Sequence, residues 1–527
     1  MVGTRVEQER RRRTSPSLDG VRNVAGPAAE RGLKRVAIYQ ELPADLETPV
    51  AVYLKLTAGA RRPGFLLESI EGGMRIARYS FIGGDPLYSI ILRDGEIHGL
   101  SGDPFPATYD DPLVALGDIL GQFSSEDQGD LPRFTGGAVG YLAYEAMSRF
   151  ESRVGRAKGQ GLGAPDARFH IAETLVVFDH LERVMKVVSH VDVSDPTRIA
   201  EAYEEAVTRI DAVVELLNGP ISMPDTKPAP ADLDPVTDRF RLNTSPERYR
   251  EIVERGKQYI HDGDIIQVVL SQRVDVPTPA HPFSLYRALR MINPSPYMFY
   301  LDFEDHQVVG ASPELLVRLE DGIVTNHPIA GTRPRGENDE EDERLAQELL
   351  ADEKERAEHI MLVDLGRNDV GRVSKPGKVR VPQLMEVEKF SHVMHIVSHV
   401  EGELRDDLTG LDALRACFPA GTVSGAPKIR AMEIIAELET DARGVYSGAV
   451  GYVDFSGGMD TAIALRTMVV HGGIASLQAG GGIVADSTPE GEYAESFHKM
   501  RALIRAIERA EDLERLEGAI SDKGGIS

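Results

Sequence analysis

Between Gly448 and Val484 the chain passes through three apolar stretches, Gly448 to Phe455, Met459 to Val470 and Ile474 to Val484. Their only punctuation is Gly457-Gly458 and Gly472-Gly473. A parallel strand pair needs a crossover of a dozen residues or more, and a two-glycine turn leaves no room for one. The segment therefore reads as a three-stranded antiparallel meander. The same grammar returns from Leu87 to Leu100 around Asp94-Gly95, and from Leu315 to Val324 around Asp321-Gly322. Helical runs are interspersed over Ser245 to His261, Glu343 to Leu365, Leu411 to Cys417 and Pro489 to Ala510. The last opens on a Ser487-Thr488-Pro489-Glu490 cap. The expected fold class is α+β, with large antiparallel β-sheets packed as a sandwich-like core and helices around it.

A chain of 527 residues has room for two or three domains. Residues 1–31 are polar, with Arg10 to Arg13 and no apolar signal-peptide core, and read as a disordered basic tail. Pro220, Pro224, Pro228, Pro230 and Pro235 mark 218–239 as an extended linker. That leaves an N-terminal domain over 32–217, a C-terminal domain over 240–512 and a flexible tail over 513–527. The formal charge of −25 argues against nucleic acid or an anionic membrane as partner. The longest stretch free of charged residues, Thr467 to Ala485, contains five glycines and does not read as a membrane span. A single cysteine, Cys417, excludes a disulfide framework and fits a reducing, cytoplasmic setting.

Several motifs fail on inspection. Gly421 to Lys428 lacks the Gly-Lys-Ser/Thr ending of a phosphate loop, and Pro427 removes an N–H that such a loop needs. Gly480-Gly481-Gly482 lacks dinucleotide spacing. His392, His395 and His399 invite zinc, but in a strand His392 faces away from the other two. Carboxylate pairs are more informative. Glu355 and Glu358 share a helix face, and Glu492 and Glu495 repeat the spacing in the last helix. Two such pairs facing each other make an all-oxygen site suited to Mg²⁺, whereas each pair alone is an ordinary acidic first turn. Arg466, Tyr446, Gly331-Thr332 and the Gly480 to Gly482 run are suited to an anion, through a guanidinium fork and accessible backbone N–H groups.

Taken together, three segments resemble the hallmarks of the chorismate-binding enzymes: Pro328 to Gly336, Glu358 to Asp369 and Ala420 to Lys428. The resemblance runs from about residue 35 to 510 and is strongest to the large-subunit, component I, branch of the anthranilate synthases. It implies a chorismate-binding catalytic domain over 240–512, and an Mg²⁺-dependent lyase that converts chorismate and ammonia to anthranilate and pyruvate. Glu358 and Glu495 would hold the metal, with Glu355 and Glu492 ordering its waters. Glu314, His395 and Thr422 are the implied catalytic residues, Glu314 as general acid. Gly331, Thr332, Tyr446, Arg466, Gly480, Gly481 and Gly482 would bind substrate. Relatives that use a covalent lysine or a lysine base carry it where Ala330 and Gln267 stand here, which leaves ammonia itself as nucleophile. Glu68, Ser69, Pro296, Tyr297 and Met298 resemble a tryptophan feedback pocket, with Glu68 meeting the ligand ammonium. A separate glutamine amidotransferase subunit would supply the ammonia. The alternatives are another chorismate-utilising enzyme, such as an aminodeoxychorismate synthase, and a non-catalytic tryptophan-sensing module.

Overall fold

The computed structural model describes residues 14–70, 78–100, 105–126, 129, 131–157, 159, 161–226, 233–390 and 393–524. Two sheets, of 13 and 11 strands, carry the chain. Every ladder between their strands is antiparallel. The α+β sandwich expected from the turn chemistry is the fold observed. Its strands alternate between two apolar layers. Phe299 and Leu301 face the opposite sheet, with Phe65, Phe81, Phe134 and Tyr452, while Met298 and Tyr300 face outward to helices. A strand buried on both faces reads as a continuous apolar run, as Tyr297 to Leu301 does.

The proline-rich break separates the chain but not the structure. In the larger sheet Gly64–Glu68 pairs with Tyr297–Asp302, and in the smaller one Gly137–Leu142 pairs with Ala449–Asp454. Each sheet is thus completed across the break, because an unpaired strand edge of one half is satisfied by the other. The stretches 32–217 and 240–512 both contribute strands to each of the two sheets. Within the break, Val236 is buried and Arg239 holds Glu511 at 2.8 and 3.0 Å. Pro228 and Pro230 lie outside the described residues.

The tails also differ from expectation. Thr14–Ser15 pairs with the strand Arg35–Pro43, and Leu18–Glu30 is a helix capped by Ser17. Val21, Ala25 and Ala28, at helical spacing, bury a stripe that the polar composition of 1–31 conceals. Residues 1–13 of that tail lie outside the described residues. At the other end the helix Pro489–Gly524 continues well into 513–527, and the Glu514 carboxylate accepts the His281 backbone N–H at 2.8 Å. The expected helix over Glu343 to Leu365 breaks at Asp352, whose side chain caps a second helix, Glu353–Gly371. No helix among the described residues is long and apolar enough to cross a membrane.

Candidate functional site

The meander expected over 448–484 is interrupted in its middle strand, and that interruption builds the site. Met459–Ile463 pairs with Leu315–Glu320 in the smaller sheet, whereas Thr467–His471 pairs with Gln307–Ser312 in the larger one. Two neighbouring strands therefore cross between sheets side by side, through Pro313-Glu314 and Ala464-Leu465-Arg466. Arg466 takes a φ of 47°, a left-handed backbone that is costly for a residue with a Cβ. Backbone bonds hold the crossing: the Arg466 carbonyl accepts Ala311 N–H, and the Glu314 carbonyl accepts Ile463 N–H, both at 3.1 Å.

Glu314 and Arg466 thereby reach the wall of a cavity of about 540 Å³. Small-molecule sites occupy roughly 300–1,000 Å³. Gln267, Ala330, Gly331, Thr332, Thr422, Tyr446, Gly480 and Gly482 line it, as do Glu355, Glu358, Glu492 and Glu495. Gly481 and His395 stand one layer behind. A Cβ on Gly481 would come within 2.1 Å of the Glu492 Oε2, so a side chain there would displace that carboxylate. His395 is buried, with Nδ1 2.8 Å from the Gly331 carbonyl and 3.1 Å from the Thr332 hydroxyl. Donating Nδ1–H to that carbonyl leaves Nε2 as the basic nitrogen, and burial lowers the imidazole's pKa, so the ring is neutral. Gly331 sits at a bulge with φ 69°, where a Cβ would lie 3.2 Å from Glu355 Oε2.

The glycine-bearing strand Ile474–Ile483 pairs along its whole length with Gln267–Pro277, but with Thr467–His471 only as far as Leu477. From Gln478 onward its second edge has no strand partner among the described residues. Backbone polar groups along that edge are open to a ligand. The Gly480 carbonyl already accepts Lys499 Nζ at 2.9 Å.

The carboxyl groups are not equivalent. Burial pushes Glu314 up to about 8, so it is protonated at neutral pH. Glu358 accepts Gln267 Nε2 at 3.2 Å, Glu495 pairs with Lys499 at 2.8 Å and Glu355 with Arg333 at 3.3 Å. Glu492 accepts Ser487 Oγ at 2.6 Å on one oxygen, while its other oxygen is buried without a hydrogen-bond partner among the described residues. Burial raises its pKa, and the neighbouring charge of Glu495 adds to the shift. Among the described residues no three His, Cys, Asp or Glu side chains converge on a single point. Lys354 and Lys499, which also line the cavity, were not expected; only the i,i+4 spacing of Lys499 from Glu495 hints at it. His392 lies outside the described residues.

A family model described as chorismate binding enzyme matches residues 77–505. The chain belongs to the chorismate-binding enzymes. An anthranilate synthase component 1 of Acetivibrio thermocellus is 44% identical over 508 residues, covering 94% of this chain and 99% of that protein. Another, of Thermus thermophilus, is 48% identical over 480 residues, covering 91% and 99%. The crystal structure of anthranilate synthase component I from Streptococcus pneumoniae matches with a TM-score of 0.71 at 40% identity, over 88% of this chain and 99% of that one.

This chorismate-binding enzyme has a second, smaller pocket of about 50 Å³ at the seam between its halves. Glu68, Ser69, Pro296, Tyr297 and Met298 line it together, joined by Arg133, Val450, Gly451, Tyr452 and Asp460. Glu68 and Met298 are direct strand partners. The Glu68 carboxylate is already engaged: Arg290 donates to it at 3.0 and 3.1 Å, and Tyr286 donates as well. Those two partners come from the helix Pro282–Ile292 and carry no local sequence signal.

Proposed function

We propose that the chain is the large subunit of an Mg²⁺-dependent, cytoplasmic anthranilate synthase that opens tryptophan biosynthesis: chorismate plus ammonia yields anthranilate, pyruvate and water. The observation that carries this reading is one protonated carboxyl, Glu314, set in the same cavity as four further carboxylates and Arg466. Glu314 would protonate the departing C4 hydroxyl as ammonia adds at C2. His395 would assist the second step, in which the enolpyruvyl group leaves as pyruvate and aromaticity is restored. Arg466, Tyr446 and the open strand edge at Gly480 to Gly482 would hold the enolpyruvyl carboxylate, while Gly331, Thr332 and Thr422 position the ring.

The residues present fit a magnesium ion. Glu492 has a buried oxygen without a hydrogen-bond partner among the described residues, and Mg²⁺ needs only one or two protein carboxylates because it keeps waters and takes substrate oxygens. Glu358 and Glu495 would hold it, with Glu355 and Glu492 ordering its waters. Bound there, it would neutralise the ring carboxylate and draw electron density from the ring.

Ammonia would come from a separate glutamine amidotransferase subunit. Cys417, the chain's single cysteine, is buried and its thiol pKa raised by that burial, so it is no glutaminase nucleophile. L-tryptophan would bind the seam pocket as inhibitor. The strand Met459–Ile463 carries Asp460 into that pocket and, three residues past its end, Arg466 into the cavity, which gives such a ligand a lever on the site. The test is anthranilate fluorescence on mixing purified protein, Mg²⁺, chorismate and ammonium at alkaline pH. Ring amination at C4 would instead identify an aminodeoxychorismate synthase.

A further inference from the structure

Behind the cavity lies an ion pair that touches no substrate. Arg443 and Glu439 are buried, with 1% and 4% of their side chains exposed. All five N–H donors of Arg443 are in use. Two reach Glu439, from Nε at 2.9 Å and Nη2 at 2.7 Å. The other three reach the Val423 carbonyl at 2.7 Å, the Val269 carbonyl at 2.7 Å and the Ser447 hydroxyl at 3.3 Å. Glu439 in turn accepts the Ser271 N–H at 2.8 Å and hydroxyl at 2.9 Å, and Gln478 donates to that hydroxyl at 2.9 Å. The guanidinium lies 4.6 Å from the Tyr144 ring centroid and 5.6 Å from that of Tyr446.

Val269, Val423, Tyr446 and Gln478 all line the cavity, and they come from four separate segments of the chain. Val423 belongs to a helix of four residues, Gly421–Ser424, which is too short to hold its own geometry. It carries Thr422 into the site. Ser447, the residue after Tyr446, takes a φ of 65°. A planar fork that grips both backbones and a carboxylate at once fixes their spacing in a way a point charge cannot.

We infer that Arg443, clamped by Glu439, is a positioning residue: it sets the spacing of Thr422, Tyr446 and the strand at Val269 for turnover. The inference rests on the reading of this cavity as the chorismate site. An Arg443→Lys variant tests it, since lysine keeps the charge that Glu439 needs but has three donors and no fork. The expected result is a kcat for anthranilate lowered about 10- to 100-fold. KM for chorismate should change less than about threefold, because the groups that contact substrate remain. The melting temperature should fall, because lysine leaves buried acceptors unpaired. Below it, a lowered kcat at near-parental KM with a parental response to tryptophan is a pattern that a role in folding alone would not give. A Ser271→Ala variant covers the case in which lysine prevents folding. It removes the hydroxyl between Glu439 and Gln478 and should lower kcat about 3- to 10-fold at unchanged KM. Parental kcat in Arg443→Lys, or in Ser271→Ala where the lysine variant does not fold, overturns the inference alone. A parent chain that forms no anthranilate overturns the reading of the cavity and this inference with it.

Discussion

The two cavities are framed by the same pair of sheets and differ in how far their buried acids are ion-paired. At the seam, Glu68 is held by Arg290 and Tyr286, and Asp460 by Arg318 at 2.9 Å and Arg133 at 3.3 Å. At the sheet crossing, among the described residues, Glu314 is a buried acid without an ion pair and Glu492 has an oxygen with no hydrogen-bond partner. The spaces follow suit, about 50 Å³ against about 540 Å³. A site whose electrostatics are unfinished is prepared for a charged substrate. At the seam both acids are ion-paired, although Asp460 keeps one buried oxygen without a hydrogen-bond partner among the described residues, so the difference lies in the ion pairs and in the space rather than in complete satisfaction. The comparison separates a roomy cavity, proposed above as the chorismate site, from a narrow seam pocket, proposed above as the tryptophan site, whose acids are already ion-paired.

The sharpest way to break that contrast is at Glu314. Glu314→Gln keeps the shape but cannot give up a proton, and turnover should fall about 10²- to 10⁴-fold. The parent should lose kcat as pH rises through about 8, measured at constant free ammonia, and the variant should show no such limb. The folded-state pKa is raised, so the folded chain binds the proton more tightly than the unfolded one. Glu314 therefore lowers stability as pH climbs from the ordinary carboxyl range to about 8, and Glu314→Gln should melt later than the parent above pH 8. An unchanged pH profile in the variant would remove Glu314 as the acid.

Next in size are the facing carboxylates. Glu358→Gln or Glu495→Gln should cost roughly 10²-fold or more at limiting Mg²⁺, with partial recovery at high Mg²⁺. Titration of activity against Mg²⁺ checks this, and parental activity at limiting metal would sink the assignment.

His395→Met should slow anthranilate formation about tenfold or more, by removing proton transfer from the second step only. Amino-deoxyisochorismate should then appear in the chromatogram of the reaction mixture. Anthranilate at the parental rate with no intermediate would take His395 out of the mechanism.

The smallest effect on uninhibited turnover belongs to the seam. Ser69→Arg or Met298→Thr should leave turnover within about threefold of the parent while abolishing tryptophan inhibition. Equal inhibition of variant and parent would show that the seam pocket is not where tryptophan acts.

Much of this was legible along the chain, for reasons that are local. Two-residue glycine turns dictate antiparallel neighbours, and the i,i+3 spacing of Glu355 with Glu358 and of Glu492 with Glu495 puts each pair on one helix face. The antiparallel class follows from the turns, and the pairing of carboxylates within each helix from the spacing; that both pairs line one cavity does not. Polar composition, by contrast, concealed the helix Leu18–Glu30, because three small buried residues suffice to seat it once a sheet edge is nearby. Nothing in Ala464-Leu465-Arg466 signals a turn, so Met459 to Val470 reads as one strand. Only the ladders on either side, which belong to different sheets, force the crossing and the left-handed backbone at Arg466. The high pKa of Glu314 and the fivefold grip of Arg443 likewise depend on what remote segments bring against them. Sequence by itself determined the strand direction, the helix faces and the residue types available for chemistry, since each is set within a turn or two of chain. The tertiary structure alone decided which of those groups are buried, facing and uncompensated, because desolvation and hydrogen-bond partners come from residues far apart in sequence.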